Sequence, residues 1–421
     1  MKRLLSFSLL LISFSLSAQI VSPVINADQS VTFTVYAPRA ENVFVKGSFA
    51  EKVFQIRTKV GAFGRDKKYR MERNGDVWTF TTAPLSSEMY TYLFQIDDCD
   101  TIDVANTNVI RDVDKYYSYF VIPGSPGSFY LRQVVPHGEV LKVWYPSQLN
   151  NMKQRRMSLY LPPEYAQDPS RRYPVLYLLH GSGGDENAWL ESGAASEIMD
   201  NMIAQGLSKP MIVVMPNGIE SLDAAPGESP YMTATPSAFN VTSMLGKIES
   251  AFVPEVVRYV DDHYRTQADK DHRAIAGLSL GGLQTIYITA NNPDSFAYVG
   301  LFSAQTTNML RDEHITSVGK LSNRLAALKT IFSKDAKPAA PSLSEIAVYA
   351  EFDRKLKEQF ARPPHLYYIA VGRDDFVKKL NDDFRMKLDS IGCTYTYNET
   401  DGAHTWSNWR RYLLDFLPKL F

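Results

Sequence analysis

The segment "IAGLSLGGLQT", residues 275–285, contains the pattern that decides the fold. Apolar residues lead into Gly277-Leu278-Ser279-Leu280-Gly281, and further apolar residues follow. A Gly-x-Ser-x-Gly sequence between a strand and a helix is typical of a sharp turn that exposes a serine at the end of the strand. Glycine suits this turn because the neighbouring chain comes too close for larger side chains. Alone, the pattern also fits a small-residue loop, so its meaning depends on the rest of the chain.

The overall composition indicates a globular protein large enough for two domains. The chain has 421 residues, 45% hydrophobic residues and a formal net charge of −1, a balance that argues against nucleic-acid binding. Lys2 and Arg3 precede an apolar run and a small-residue site ending at Ala18, which predicts a signal peptide over residues 1–18. We therefore expect an exported protein, periplasmic or extracellular. No later apolar run is long enough to predict a membrane span.

Residues 19–121 repeat short strands separated by turn residues. In "SVTFTVYAP", residues 30–38, Val31 and Phe33 alternate with threonines, the period of a half-buried strand. The segments "ENVFVKGSF", "VWTFTTAP" and "MYTYLFQID" repeat this pattern, which predicts an all-β, immunoglobulin-like sandwich domain. Trp78 and Tyr92 are expected in its core. Residues 122–130, "IPGSPGSFY", have the composition of a linker.

Residues 131–421 alternate strands with helices. "RRYPVLYLLHG" and "PMIVVMPNG" are apolar runs that end in glycine, as in parallel strands buried on both faces. Residues 244–264 have apolar side chains at helical spacing, with a kink expected at Pro254. This alternation predicts a mainly parallel sheet flanked by helices. Residues 304–364 are interpreted as an insertion, either a lid or pocket wall or a passive surface excursion.

A serine nucleophile needs a base and an acid, and their order along the chain narrows the choice. In α/β-hydrolases the serine is followed by Asp or Glu and then by His. Asp374 and Asp375 follow the predicted strand in "HLYYIAVGRDDF", and His404, in "DGAHTWSNW", is the one histidine after them. The other histidines that follow Ser279 are interpreted as structural: His314 and His365. The sequence thus predicts a catalytic set of Ser279, one of these aspartates and His404.

The segment "LLHGSGGDENAW", residues 178–189, is the expected second half of an oxyanion hole. The backbone N–H of Leu280 and an N–H of "HGSGG" would bind the oxyanion, with Ser182 favoured as donor and Gly183 as the alternative. Phosphate binding is less favoured because Glu186 stands where a third glycine is needed. Since the chain has neither His-Glu-x-x-His nor paired-cysteine spacing, we expect no metal or organic cofactor.

These motifs, with "AVGRDDF" and "GAHTWSNWR", resemble the esterase D-like α/β-hydrolases, and most closely the feruloyl and acetyl-xylan esterases of carbohydrate esterase family 1. The resemblance covers about residues 130–421. It implies that Asp375, in a Gly-x-x-Asp pattern, is the acid, with Asp374 as a possible substitute. It also implies that His404 is the base, although Ala403 replaces a glycine of the family pattern.

The front segment resembles sandwich modules related to glycogen-binding domains. Val104 follows Asp103 where such modules frequently have proline, so carbohydrate binding stays open. A packing domain that shapes the rim of the active site is the favoured interpretation.

The resemblance implies a secreted serine esterase that removes ferulate or acetate from plant cell-wall xylan or xylo-oligosaccharides. A siderophore esterase of the enterochelin type is the alternative, because such enzymes also carry a front domain. Arg410 and Arg411 would suit its anionic catecholate ligand, but solvation on a helix surface explains them equally well. A catalytically silent carbohydrate-binding or scaffolding protein is less favoured, because the Ser-Asp-His set is complete.

Overall fold

The computed structural model describes residues 20–50, 52–58, 61–149, 152–230, 246–306 and 346–421. The predicted signal peptide, His314 and residues 307–345 of the expected insertion lie outside these ranges. None of the helices in the described ranges has both the length and the apolar character needed to cross a membrane.

The front part of the chain consists of strands in two main sheets that enclose an apolar cluster. One sheet has the order β1-β2-β8-β7, and the other has the order β11-β12-β9-β3-β6 with β10 paired to β9; β4 and β5 pair separately. The bounds are β1 (Val24–Ile25), β2 (Val31–Tyr36), β3 (Val43–Gly47), β4 (Lys52–Thr58), β5 (Gly61–Asp66), β6 (Lys68–Arg70), β7 (Glu72–Asn74), β8 (Val77–Thr81), β9 (Glu88–Ile96), β10 (Cys99–Thr101), β11 (Val109–Asp112) and β12 (Lys115–Ile122). Val31 and Phe33 face the core, as their alternation predicts, and Trp78 and Tyr92 are buried there as expected. The front part is therefore an all-β domain.

Residues 122–130 form a packed connection to the second part of the chain. A short 3-10 helix, Gly127–Tyr130, follows β12, and the Tyr130 ring is buried. The Asn201 side chain donates hydrogen bonds to the carbonyl oxygens of Phe129 and Leu131, at 3.0 and 2.9 Å. Because a Cβ atom added at Gly127 would lie 2.1 Å from the Ile122 carbonyl oxygen, this turn tolerates no side chain at that position.

The second part of the chain contains a sheet with the order β13-β14-β16-β15-β17-β18-β19-β20. β14 pairs antiparallel with both β13 and β16, whereas the pairs from β16 through β20 are parallel. The bounds are β13 (Glu139–Pro146), β14 (Gln154–Leu161), β15 (Val175–Leu179), β16 (Ile212–Pro216), β17 (Arg273–Leu278), β18 (Tyr298–Phe302), β19 (Leu366–Gly372) and β20 (Thr396–Thr400). The mainly parallel sheet is as predicted, but the antiparallel strands β13 and β14 are not among the predicted elements.

Helices cover both faces of this sheet. Their bounds are α1 (Ala188–Glu191), α2 (Ala195–Ala204), α3 (Lys247–Ala251), α4 (Arg258–His263), α5 (Leu280–Asn291), α6 (Phe352–Ala361), α7 (Lys378–Ser390) and α8 (Trp406–Phe416). A π-helical turn, Phe252–Val257, joins α3 to α4 and contains Pro254. It accounts for the predicted kink, because proline has no N–H to donate to the preceding turn.

One of the two apolar clusters flanking the sheet also includes residues of the front domain. Buried side chains of α2 and α8 pack there against Met89, Ile110 and Val121 of the front domain and against Tyr130 of the connection. The front domain therefore shares a hydrophobic core with one face of the sheet.

Candidate active site

Ser279 lies on a strained turn between β17 and α5. Its backbone has φ 52° and ψ −115°, a conformation that non-glycine residues rarely adopt. The turn is held from the end of β18, because the Ser279 N–H donates to the Phe302 oxygen and the Gln305 N–H donates to the Ser279 oxygen, both at 3.0 Å. A Cβ at Gly277 would lie 2.2 Å from the Gly281 carbonyl oxygen. The predicted strand-turn-helix setting of Ser279 is therefore present.

Asp375 and His404 form a direct pair. The His404 Nδ1 atom lies 3.0 Å from Asp375 Oδ1 and 3.1 Å from Oδ2. The Asp375 side chain is fully buried, and its Oδ1 also accepts the Val377 N–H at 3.0 Å. Asp374 has an exposed side chain. The structure thus pairs Asp375, and not Asp374, with the histidine, and it fixes the orientation of the imidazole ring.

Ser279, Asp375 and His404 all lie at the carboxyl edge of the sheet. Ser279 follows β17 directly, Asp375 follows β19, and His404 lies in the loop after β20. Within the described residues, the hydrogen bonds of His404 go to Asp375, and none joins its ring to Ser279. Catalytic hydrogen bonds are often long in enzymes without substrate and shorten in the reacting complex, so this geometry is compatible with a substrate-free active site. His365, by contrast, precedes β19 at the opposite edge of the sheet and contacts Asp271 at 3.5 Å.

The "HGSGG" loop lies against Ser279. A Cβ at Gly181 would lie 3.2 Å from the Ser279 Cβ and 2.6 Å from a Leu278 methyl carbon, so this loop follows the turn closely. Leu280 is the first residue of α5, and the first N–H groups of a helix have no partner inside it. The positive end of the α5 dipole points the same way. The arrangement suits a developing negative charge beside Ser279.

His180 has a structural role that was not predicted from the sequence. Its ring is buried, and its Nε2 accepts the Gly218 N–H at 2.8 Å. The Nδ1 atom therefore carries the proton and donates to the Gly181 oxygen at 2.7 Å. Burial lowers the pKa of His180, which keeps the ring neutral. His180 thus ties the loop after β15 to the loop after β16.

An aromatic cluster connects the His404 loop to the "HGSGG" loop. The His404 ring lies 4.3 Å from Phe376 and 5.0 Å from Trp409, between ring centroids. Trp406 contacts Trp409 at 5.1 Å and Trp189 at 5.3 Å, both nearly perpendicular. Trp189 in turn donates from Nε1 to the carbonyl oxygen just before His180, at 3.0 Å. The two tryptophans in "GAHTWSNW" are the feature of the sequence from which this aromatic cluster could have been predicted.

Arg410 is neither a surface residue nor a free cation. Its guanidinium donates to Glu88 of the front domain at 2.9 and 3.2 Å and to the Ser192 oxygen at 2.6 Å. Both interpretations offered for Arg410 in the sequence analysis, solvation and anion binding, are therefore wrong. Arg411 is half-exposed and lies 3.2 Å from the same carboxylate.

The described residues contain no cluster of three or more His, Cys, Asp or Glu side chains arranged to hold a metal ion.

Comparison with known proteins defines the class. The model of the esterase family matches residues 150–420, well over half of the chain. The chain therefore belongs to this esterase family of carboxylic ester hydrolases, with an α/β-hydrolase fold. The expected membership of an esterase family is thereby confirmed.

Two curated relatives are xylanases. An endo-1,4-beta-xylanase/feruloyl esterase of Xylanibacter ruminicola is 34% identical over 290 residues, which are 68% of this chain and 36% of that protein. Endo-1,4-beta-xylanase Y of Acetivibrio thermocellus is 27% identical over 320 residues, 73% of this chain and 25% of the relative. The chain thus spans about a third and a quarter of the lengths of these relatives.

Two solved structures share the fold at low identity. A ferulic acid esterase of Anaeromyces mucronatus in complex with ferulic acid is 20% identical, with a TM-score of 0.50, over 76% of this chain and 98% of its own. The enterobactin esterase of Shigella flexneri is 15% identical, with a TM-score of 0.54, over 92% of both chains.

Proposed function

We propose that this protein is an exported serine esterase that cleaves ferulate or acetate esters from xylan or xylo-oligosaccharides. One observation carries the catalytic part of the proposal: the imidazole of His404, held by the buried carboxylate of Asp375, lies at the same sheet edge as the strained Ser279. A base with a fixed orientation at the same sheet edge as a serine on such a turn is the arrangement from which a hydroxyl can be activated.

In the proposed reaction the Ser279 Oγ attacks the ester carbonyl carbon while His404 Nε2 accepts its proton. Asp375 holds Nδ1–H and stabilises the imidazolium that forms. The N–H groups of Leu280 and Ser182 donate to the oxyanion of the tetrahedral intermediate. As the carbon–oxygen ester bond breaks, His404 donates its proton to the leaving sugar oxygen, which departs as a hydroxyl group. Water then attacks the acyl-enzyme by the same route and releases the acid.

The substrate is inferred from the relatives. A relative named as a xylanase/feruloyl esterase covers 68% of this chain, and a solved relative holds ferulic acid. The enterobactin esterase has a similar fold over the front domain as well, which supports the siderophore alternative. Against that alternative, the buried Arg410 is committed to Glu88 and is not available to a catecholate.

Export is proposed from the signal-peptide pattern of residues 1–18, and the N-terminal sequence of the exported protein should then begin at Gln19. A start at Met1 would contradict the proposed export.

We also propose that the front domain is an immunoglobulin-like sandwich and that its role is to pack against the esterase domain.

The experiment is hydrolysis of methyl ferulate, acetylated xylan and a catecholate trilactone by the wild type and by Ser279→Ala. We expect turnover to fall by roughly 10⁴-fold or more in the variant, because the nucleophile is lost. Ser390→Ala, an exposed serine at the end of α7, is the matched control and should keep wild-type activity.

The outcomes separate the parts of the proposal. Unchanged activity in Ser279→Ala would refute the mechanism. A strong preference for the trilactone would keep the mechanism and overturn the substrate. A wild type inactive on all esters would favour the carbohydrate-binding alternative.

A further inference from the structure

A β-hairpin of the front domain, formed by β11 and β12, reaches both loops of the candidate active site. Arg111 and Asp112 are the last two residues of β11, and they pair with Tyr116 and Lys115 across the hairpin. Successive side chains in a strand point to opposite faces, so Arg111 and Asp112 extend in different directions. One reaches the loop after β15, and the other reaches the loop after β20.

Asp112 holds the loop that carries His404. Its Oδ1 accepts the indole N–H of Trp406 at 3.1 Å, and Trp406 is the first residue of α8, two positions after His404. Trp406 packs perpendicular to Trp409, whose ring lies against His404. The carboxylate of Asp112 is thus connected to the catalytic imidazole through two aromatic rings.

Arg111 holds the loop expected to supply the oxyanion donor. Its guanidinium forms an ion pair with Asp185, whose side chain is 2% exposed and which lies three residues after Ser182. The Arg111 backbone N–H also donates to the Glu191 carboxylate at 3.1 Å. Asp185 is itself fixed, because its Oδ1 accepts the Asn187 N–H at 2.9 Å. The same hairpin therefore contacts the segment that follows "HGSGG" as well as the segment that follows His404.

We propose that Arg111 and Asp112 are positioning residues, through which the front domain holds the oxyanion loop and the His404 loop in their catalytic arrangement. The inference rests on the proposed esterase function. Its physical basis is that a displacement of about 1 Å in a catalytic group can reduce turnover by roughly 100-fold. Neither residue is expected to contact the reacting atoms.

The test compares Asp112→Ala with Asp112→Asn in the full-length purified protein. We expect kcat for a small ester to fall by roughly 10- to 100-fold in Asp112→Ala with little change in KM, since the small ester does not need the front domain for binding. Asp112→Asn keeps an oxygen that accepts the indole N–H, so we expect it to retain most of the wild-type kcat. Asp114→Ala, an exposed residue in the hairpin turn, is the matched control and should behave as the wild type.

A second variant, Trp406→Phe, removes the indole N–H and keeps an aromatic ring. If Asp112 acts through this hydrogen bond, the effects of Trp406→Phe and Asp112→Ala on kcat should be strongly non-additive in the double variant. This variant also tests the inference if Asp112→Ala does not fold.

The amplitude of the p-nitrophenolate burst from p-nitrophenyl acetate counts the sites that can be acylated. We expect an unchanged amplitude and a lower kcat per site. The inference is overturned if Asp112→Ala keeps kcat within about twofold, if the asparagine variant falls equally far, or if burst amplitude falls in proportion to activity. An inactive Ser279→Ala with unaffected Asp112 and Trp406 variants would refute this inference alone, whereas an active Ser279→Ala would refute the proposed function.

Discussion

Replacing Arg410 tests how much its contacts with the front domain contribute to the free energy of unfolding. Its side chain is 4% exposed and that of Glu88 is 5% exposed. Arg410 donates two hydrogen bonds to Glu88 Oε1, and it also donates to the carbonyl oxygens of Ser192 and Met89, at 2.6 and 3.0 Å. Arg410→Met keeps an unbranched apolar chain of similar length and removes all four interactions.

The expected loss of stability follows from the charge of Glu88, which stays buried when Arg410 is replaced. Removing one partner of a buried ion pair costs roughly 3–5 kcal/mol, because the other charge stays buried without compensation. Arg411, at 3.2 Å and half-exposed, still neutralises part of the Glu88 charge. We therefore expect the free energy of unfolding to fall by about 3 kcal/mol, the lower end of that range.

Urea unfolding followed by tryptophan fluorescence and by circular dichroism measures this loss and shows whether the transitions coincide. Arg258→Met is the matched control: its ion pair with Asp262 has an N–O distance of 3.6 Å and an arginine side chain 80% exposed. Such pairs contribute between about 0 and 1 kcal/mol. The double variant Glu88→Gln/Arg410→Met should recover part of the stability, because no unpaired charge then remains buried and the half-exposed Arg411 is solvated. A loss of less than about 1 kcal/mol in Arg410→Met would refute the reasoning.

Two further predictions concern the buried carboxyl group of Glu249 and the turn that carries Ser279. Glu249 accepts hydrogen bonds from the Tyr349 hydroxyl and the Gly246 N–H, and burial raises its pKa to about 7 from an ordinary value of 4.5. The folded state therefore keeps a proton that the unfolded state releases, so Glu249 should lower the unfolding free energy by about 3 kcal/mol as pH rises from 4.5 through 7. Urea midpoints at pH 5 and 8 should show this decline in the wild type and not in Glu249→Gln; equal pH dependence in both would contradict it. Gly277→Ala places a Cβ 2.2 Å from the Gly281 oxygen, so we expect a loss of several kcal/mol in unfolding free energy and of esterase activity, and a variant with wild-type melting and turnover would show that the turn can relax.

The candidate site was predictable because its chemistry restricts local sequence. A tight turn requires glycines around Ser279, buried parallel strands require apolar runs, and the fold restricts the order of acid and base. The resemblance to the family favoured Asp375 over Asp374, and the structure pairs that carboxylate with His404. Strand β13 also has an alternating apolar pattern, although no strand was predicted there.

The docking of the front domain was not predictable from the residues alone. Arg410 and Glu88 are separated by 322 positions, and no local periodicity specifies which buried partner a charged side chain will meet. The same holds for Arg111 and Asp185, which lie 74 positions apart. Both pairs depend on the placement of two domains whose patterns were interpreted separately.

The hydrophobic core shared by the two parts of the chain has a consequence for protein engineering. The esterase half depends on other parts of the chain to cover one apolar face, as a protomer of an obligate heterodimer depends on its partner subunit. The residues that cover this face are Met89, Ile110, Val121 and Tyr130. A chimera that joins the esterase half to a different carrier domain would leave an apolar face uncovered, and such faces promote aggregation. The boundary between the sequence patterns is therefore a poor place to divide this protein, and any transplanted esterase should take its front domain with it.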